Sequence, residues 1–108
     1  MIFLGIFIDK AFAMEDYTFM CTNDTIDRVI LILEPTTSNA WVQTKVLMPG
    51  GTSKIYSYRT EGANFDSRAS QIANDMKNCR KVRFYYDTSG RGRDTILVRR
   101  IEITLVHR

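Results

Sequence analysis

The chain has 108 residues, 44% hydrophobic and 25% charged, with a formal net charge of +3. That is enough apolar mass for one core and one domain, and it excludes a disordered or low-complexity chain. The charge is uneven: residues 1–79 carry seven Lys/Arg against nine Asp/Glu, a net of −2, and residues 80–108 carry eight against three, a net of +5. Such asymmetry points either to an anionic partner near the C-terminal strands or to solvated strand faces.

The chain opens MIFLGIFIDKAFA, with an apolar run over residues 2–8 and a small-x-small Ala11-Phe12-Ala13. Two readings fit. Residues 1–13 are a truncated signal peptide, short and lacking Lys or Arg before the run, which leaves 14–108 as a single domain; or the run is a buried N-terminal strand. It is too short to cross a membrane as a helix, so no membrane span is expected. Export would make the protein secreted or periplasmic. In such an oxidising compartment the two cysteines, Cys21 and Cys79, are expected to form one disulfide; in the cytosol they would stay thiols. No C-x-x-C or His-rich spacing suggests a metal, and no cofactor is expected.

Residues 27–35, DRVILILEP, form a near-continuous apolar run that reads as a buried strand stopped by Pro35. After the turn cluster EPTTSNA, residues 41–48 alternate, with Val42, Thr44, Val46 and Met48 on one face and Trp41, Gln43, Lys45 and Leu47 on the other. PGGTS is a turn, and KIYSYRT a third strand. Then the period changes. Phe65, Ala69, Ile72, Ala73 and Met76 make one helical stripe, begun at Asn64, Asp66 or Ser67 and followed by Lys77, Arg80 and Lys81 near its C-terminal end. The polar face, with Arg68, Gln71 and Asp75, is either a solvated surface or a wet oligomer interface.

Beyond Cys79 alternation resumes: Val82, Phe84 and Tyr86 against Arg83 and Tyr85, then the turn TSGRGRD and a last strand over 95–106. In that strand Ile101, Ile103 and Leu105 share a face, with Arg100, Glu102 and Thr104 opposite. The expected fold is therefore mainly β: three strands, a helix, then two strands, the order of a five-stranded, partly open OB-fold barrel with its helix between strands 3 and 4.

Catalytic chemistry is poorly supplied, and no enzyme is expected. The one histidine, His107, is the penultimate residue, and no nucleophile-elbow, zinc or phosphate-loop motif occurs. Asn23-Asp24-Thr25 matches a glycosylation sequon, a pattern common by chance. Binding chemistry is better supplied. An OB fold binds ligands on the face of its second and third strands and on the loops between strands 1 and 2 and strands 4 and 5. Those places hold Trp41, Gln43, Lys45, Tyr56, Tyr58, Arg59, Arg91 and Arg93. The aromatic rings suit a sugar face or a base, and the Gln, Lys and Arg supply donors. Alternatively, the tyrosine rings pack inside the barrel.

On YTFMC, RVILIL, ASQIANDM and the immediate exit into KVRFYYD, residues 17–105 resemble the B subunits of bacterial one-A, five-B toxins, especially the subtilase-cytotoxin and pertussis-like group. Other small secreted bacterial OB-fold proteins share the same helix-to-strand signature. The resemblance implies a secreted, disulfide-bonded homopentamer whose helices line a pore, which binds cell-surface glycans and partners an A subunit. Such a ring would give Arg68, Gln71 and Asp75 an interface role. The competing expectations are a single-stranded nucleic-acid-binding module using the +5 region, and a small periplasmic protein-interaction module.

Overall fold

The computed structural model describes residues 14–22, 24–90 and 92–106. Residues 1–13, Asn23, Arg91, His107 and Arg108 lie outside the described residues. So does the signal-peptide reading.

The described residues form six strands and one α-helix: β1 (Met14–Met20), β2 (Ile26–Glu34), β3 (Asn39–Leu47), β4 (Ser53–Glu61), α1 (Phe65–Lys77), β5 (Cys79–Asp87) and β6 (Thr95–Leu105). They form one open sheet in the order β1-β5-β6-β4-β3-β2, antiparallel throughout except for the β4–β6 pair. Six strands, not five, is a correction. The additional one is β1, whose pairing runs from Met14 opposite Asp87 to Met20 opposite Lys81. Its sequence, MEDYTFM, carries only Tyr17 and Phe19 as an alternating apolar pair, too short a pattern to read as a strand.

The parallel β4–β6 pair divides the sheet into an antiparallel meander, β2-β3-β4, and a second antiparallel group, β6-β5-β1. A parallel pair needs a crossover connection, and α1 with β5 provides it. The helical stripe behaves as its periodicity requires. Ala69 and Ala73 pack on Ala40 and Val42 of β3, where small side chains let helix and sheet approach closely. At the helix start the Thr60 hydroxyl donates to the Phe65 carbonyl at 2.7 Å.

The inner face of the sheet meets itself as well as the helix. Tyr56 on β4 stacks on Phe84 of β5 with ring centroids 4.6 Å apart and on Tyr17 of β1 at 6.0 Å. Three inter-strand steps separate β4 from β1, about 14 Å in a flat sheet. The rings meet because the sheet curls strongly. Cys21 and Cys79 are joined in a disulfide, with Cα atoms 5.8 Å apart, and the Cys21 amide donates to the Arg80 carbonyl at 2.9 Å. The end of β1 is thereby fixed to the start of β5.

One strand departs from expectation. The run read as a buried strand is β2, and it lies at the edge of the sheet with Ile30, Leu31, Ile32 and Leu33 all exposed. An unbroken apolar run signals burial on both faces, but here only Val29 and Ile26 reach the core.

Two outcomes follow from this packing. The disulfide closes a long stretch of chain, 58 residues in separation, so its reduction is expected to cost about 2–4 kcal/mol of stability. A guanidinium midpoint unchanged by reductant would contradict this. Burial, reinforced by the neighbouring Tyr86 and Tyr17, raises the Tyr56 hydroxyl above its ordinary value of 10.0. The fold holds the neutral phenol, so its contribution is complete below pH 10 and is lost at higher pH, where the unfolded chain ionises first. Tyr56→Phe is expected to lose less stability than the parent between about pH 9 and about pH 11, measured by denaturation at each pH. An equal loss in both proteins would contradict the burial argument.

Candidate functional site

With the inner face committed to the helix and the aromatic stack, polar and chemically varied side chains collect on the outer face. Strand alternation decides which they are. On β3, Ala40, Val42, Thr44 and Val46 are buried and point inward, so Trp41, Gln43 and Lys45 point outward. The antiparallel register sets Arg59 of β4 opposite Trp41, Ser57 opposite Gln43 and Ile55 opposite Lys45. The parallel register then sets Leu97 of β6 beside Ser57.

These residues form a shallow groove of about 350 Å³, lined by Trp41, Ser57, Arg59, Glu61, Leu97 and Arg99. Each polar group is positioned. The Trp41 indole donates to Glu34 Oε1 at 3.1 Å, which fixes the ring, and the Arg59 guanidinium lies 5.8 Å from the ring centroid. Arg59 also pairs with Glu61 at 3.6 Å. Arg99 donates twice to Asp87 Oδ2, at 2.7 and 3.2 Å. Leu97, 60% exposed, is the apolar floor between the two arginines.

Past Leu97 and Arg99 the groove continues into a smaller hollow of about 150 Å³ that adds Asp87, Ser89, Arg93 and Thr95. The two share Leu97 and Arg99, so the site runs from Trp41 to the loop between β5 and β6. In the other direction Gln43 and Lys45 line a third depression with Arg28, Ile30 and Ile55.

The structure therefore brings together Trp41, Arg59 and Arg93, with Gln43 and Lys45 next along β3. Tyr56 is separated from them: it is only 2% exposed and belongs to the core, so its ring is no surface contact. Tyr58 shares Tyr56's face of β4 and packs against the same core, leaving only part of its surface at the groove. Arg91 lies outside the described residues. On α1, Arg68 donates to the Glu61 carbonyl and Gln71 Nε2 to Asp75 Oδ1 at 2.8 Å. Those three side chains thus satisfy groups within the same chain.

Ser57, Glu61, Leu97 and Arg99 are groove residues that the sequence did not single out, and Leu97 and Arg99 are the two that β6 supplies. The signal was present as the alternation of Thr95, Leu97 and Arg99 against Ile96 and Val98. What hid it is a register shift opposite Tyr85 and Tyr86, after which Arg100 also faces outward.

A second polar cluster lies on the far side of the outer face. Tyr85 donates to Glu102 Oε1 at 2.9 Å and accepts from Arg83 Nη1 at 3.2 Å, while Arg100 lies 5.3 Å from its ring. The hydrogen bond to Tyr85, more than any neighbouring carboxylate, raises the Arg83 guanidinium above its ordinary value. Both arginines meet carboxylates, with Arg83 also 3.5 Å from Asp16 and Arg100 3.0 Å from Glu102. A hollow of about 510 Å³ opens here too, lined by Lys81, Arg83, Glu102, Ile103 and Thr104, but its large apolar side chain, Ile103, packs against the core, whereas Leu97 stands open in the groove.

Among the described residues no group of three His, Cys, Asp or Glu is placed to hold a metal ion, and no helix is long and apolar enough to cross a membrane. Comparisons with protein-family models, curated proteins and solved structures found no match.

Proposed function

We propose that the protein is a non-enzymatic, exported binding subunit of OB-fold type that recognises cell-surface glycans through the groove from Trp41 to Arg93. Counting β1 and β2 as two arms of one bent first strand recovers five strands with the helix between the third and fourth, the OB arrangement. The ligand face of that fold then falls on β3 and β4, and its fourth-to-fifth-strand loop carries Arg93.

The observation that carries the reading is the chemistry of the groove. A sugar offers C–H faces and hydroxyls that both donate and accept. The groove offers Trp41 and Leu97 for the first, Arg59, Arg93 and Arg99 as donors, and Glu61 and Asp87 as acceptors. The arginines suit an additional carboxylate, as on a sialylated glycan. The same mixture disfavours the nucleic-acid alternative, because phosphates tracking the groove would pass Glu61 and Asp87. Avidity across several copies would offset weak single-site affinity. The resemblance implies a ring of five with an A subunit; the free edge of β2 favours a pair of copies instead.

A glycan array probed with the full chain is expected to give hits among sialylated structures. Trp41→Ala and Arg99→Ala should each weaken binding about tenfold or more, the scale of one lost stacking contact. Arg83→Ala, in the separate cluster, should leave it unchanged. A blank array rejects the reading, and binding to single-stranded nucleic acid that falls steeply with salt would replace it.

A further inference from the structure

Among the described residues β2 is the outermost strand on its side of the sheet, paired only with β3. Along such an edge alternate residues turn their backbone N–H and C=O groups away from the sheet, a template for another strand. Proteins usually guard such an edge with a charge, a proline or a bulge. Over Val29-Ile30-Leu31-Ile32-Leu33 there is neither charge nor proline, and the register shift lies before the run, between Ile26 and Arg28.

Both faces of this edge are apolar. Ile30 and Ile32 pair with Gln43 and Trp41 on the outer face; Leu31 and Leu33 lie on the inner face, where α1 packs against Val29. The four are 42, 37, 38 and 49% exposed. Four adjacent large aliphatic residues exposed on both sides of one strand mark an interaction surface.

The charges at its ends say what fits. Arg28 and Glu34 stand symmetrically about Leu31. Lay a second copy of the strand antiparallel, centred on Leu31, and Leu31 falls opposite itself, Ile30 opposite Ile32, Val29 opposite Leu33 and Arg28 opposite Glu34. Each residue meets one of the same face, and unlike charges meet at both ends. A parallel in-register pairing would set Arg28 on Arg28 and Glu34 on Glu34. The opposite edge of the sheet, β1, fits less well, because Asp16 and Thr18 interrupt its exposed face and its sequence, MEDYTFM, offers no basic residue to meet an acidic one in a second copy. Arg28 is held by Asp27 at 3.2 Å and Glu34 by the Trp41 indole, so both are already oriented at the two ends of the run.

We propose that β2 is a homodimer interface, pairing antiparallel with β2 of a second copy about a two-fold axis through Leu31. The axis stands perpendicular to the sheet, so the two helices share one side, with Leu31 and Leu33 of both copies filling the strip between them. The two Trp41 grooves share the other side. The pairing rests on the strand and not on the ligand reading.

Native mass spectrometry of the full chain is expected to give a dimer at tens of micromolar. Arg28→Glu or Glu34→Arg alone should weaken it at least tenfold, and the double reversal should restore it, since each new charge again meets its opposite. Directly opposed residues in an antiparallel pair have Cα atoms about 4.5–5.5 Å apart, within disulfide reach. Leu31→Cys is therefore expected to cross-link to itself on oxidation. Ile30→Cys and Ile32→Cys should each stay uncross-linked alone and join when mixed. A monomer, whatever segment of the same chain covers the strand, overturns the proposal. So does a five-fold mass, or a dimer in which Leu31→Cys fails to cross-link.

Discussion

The contact on which the rest of the structure depends is the stack of Tyr56 on Phe84 and Tyr17. These rings come from β4, β5 and β1, strands that a flat sheet would keep well apart. Their meeting closes the inner face of one half of the sheet on itself, and α1 covers much of the other half. A single sheet of this length has no second sheet to pack on, so burial comes from curvature. The energy at stake is large for a small domain: an aromatic residue of this kind truncated to alanine typically costs about 3–5 kcal/mol. The disulfide acts on the same feature from its margin, because it fixes β1, which supplies Tyr17 and Phe19, to β5, which supplies Phe84.

Once the inner face is consumed in this way, the side chains open to any partner are those of the outer face and the edges. The outer face separates into two regions by how its charges are used. Around Tyr85 the arginines and carboxylates close on one another. Exposed pairs of that kind contribute little to stability, but they occupy their donors. Around Leu97 the arginines are held at the margins by Asp87 and Glu61, and the floor between them is apolar and open. A rigid guanidinium beside an accessible apolar floor suits a partner that is part hydroxyl and part C–H surface. The positive excess of residues 80–108 is thus distributed over both regions, and its sum alone does not locate the site.

Much of the fold was legible from periodicity. The helix over Phe65–Lys77 and the strands corresponding to β3, β4, β5 and β6 follow from the change between periods of about 3.6 and 2. The outward set Trp41, Gln43 and Lys45 follows from the same alternation. The cysteine pair was legible too, conditional on an oxidising compartment. β1 was not, because two alternating aromatics among polar residues look like a loop. Ring packing inside the barrel was one of the two readings of Tyr56 and Tyr58, and Tyr56 follows it; which tyrosine meets the curl was not legible, because it depends on pairing between strands far apart in sequence. Leu97 and Arg99 were hidden by the register shift opposite Tyr85 and Tyr86, and the parallel register that sets β6 beside β4 has no local sequence signal of its own.

The run from Val29 to Leu33 is the most instructive difference. An aliphatic stretch without alternation signals that both faces of a strand leave water, and the reading as a buried strand is not met within the described chain, where the run is exposed at the sheet edge. What composition cannot carry is the identity of the covering surface, because a neighbouring element of the same chain and a second copy select the same residues. The flanking charges discriminate between them. Burial inside one chain places no symmetry requirement on Arg28 and Glu34, whereas an antiparallel pair of identical strands requires opposite charges equidistant from its centre. Such a pair would also set the two β3 strands three inter-strand steps apart, about 14 Å, with both Trp41 rings on the same side. A partner strand at β2 would then complete the apolar edge and present two grooves side by side to one extended ligand.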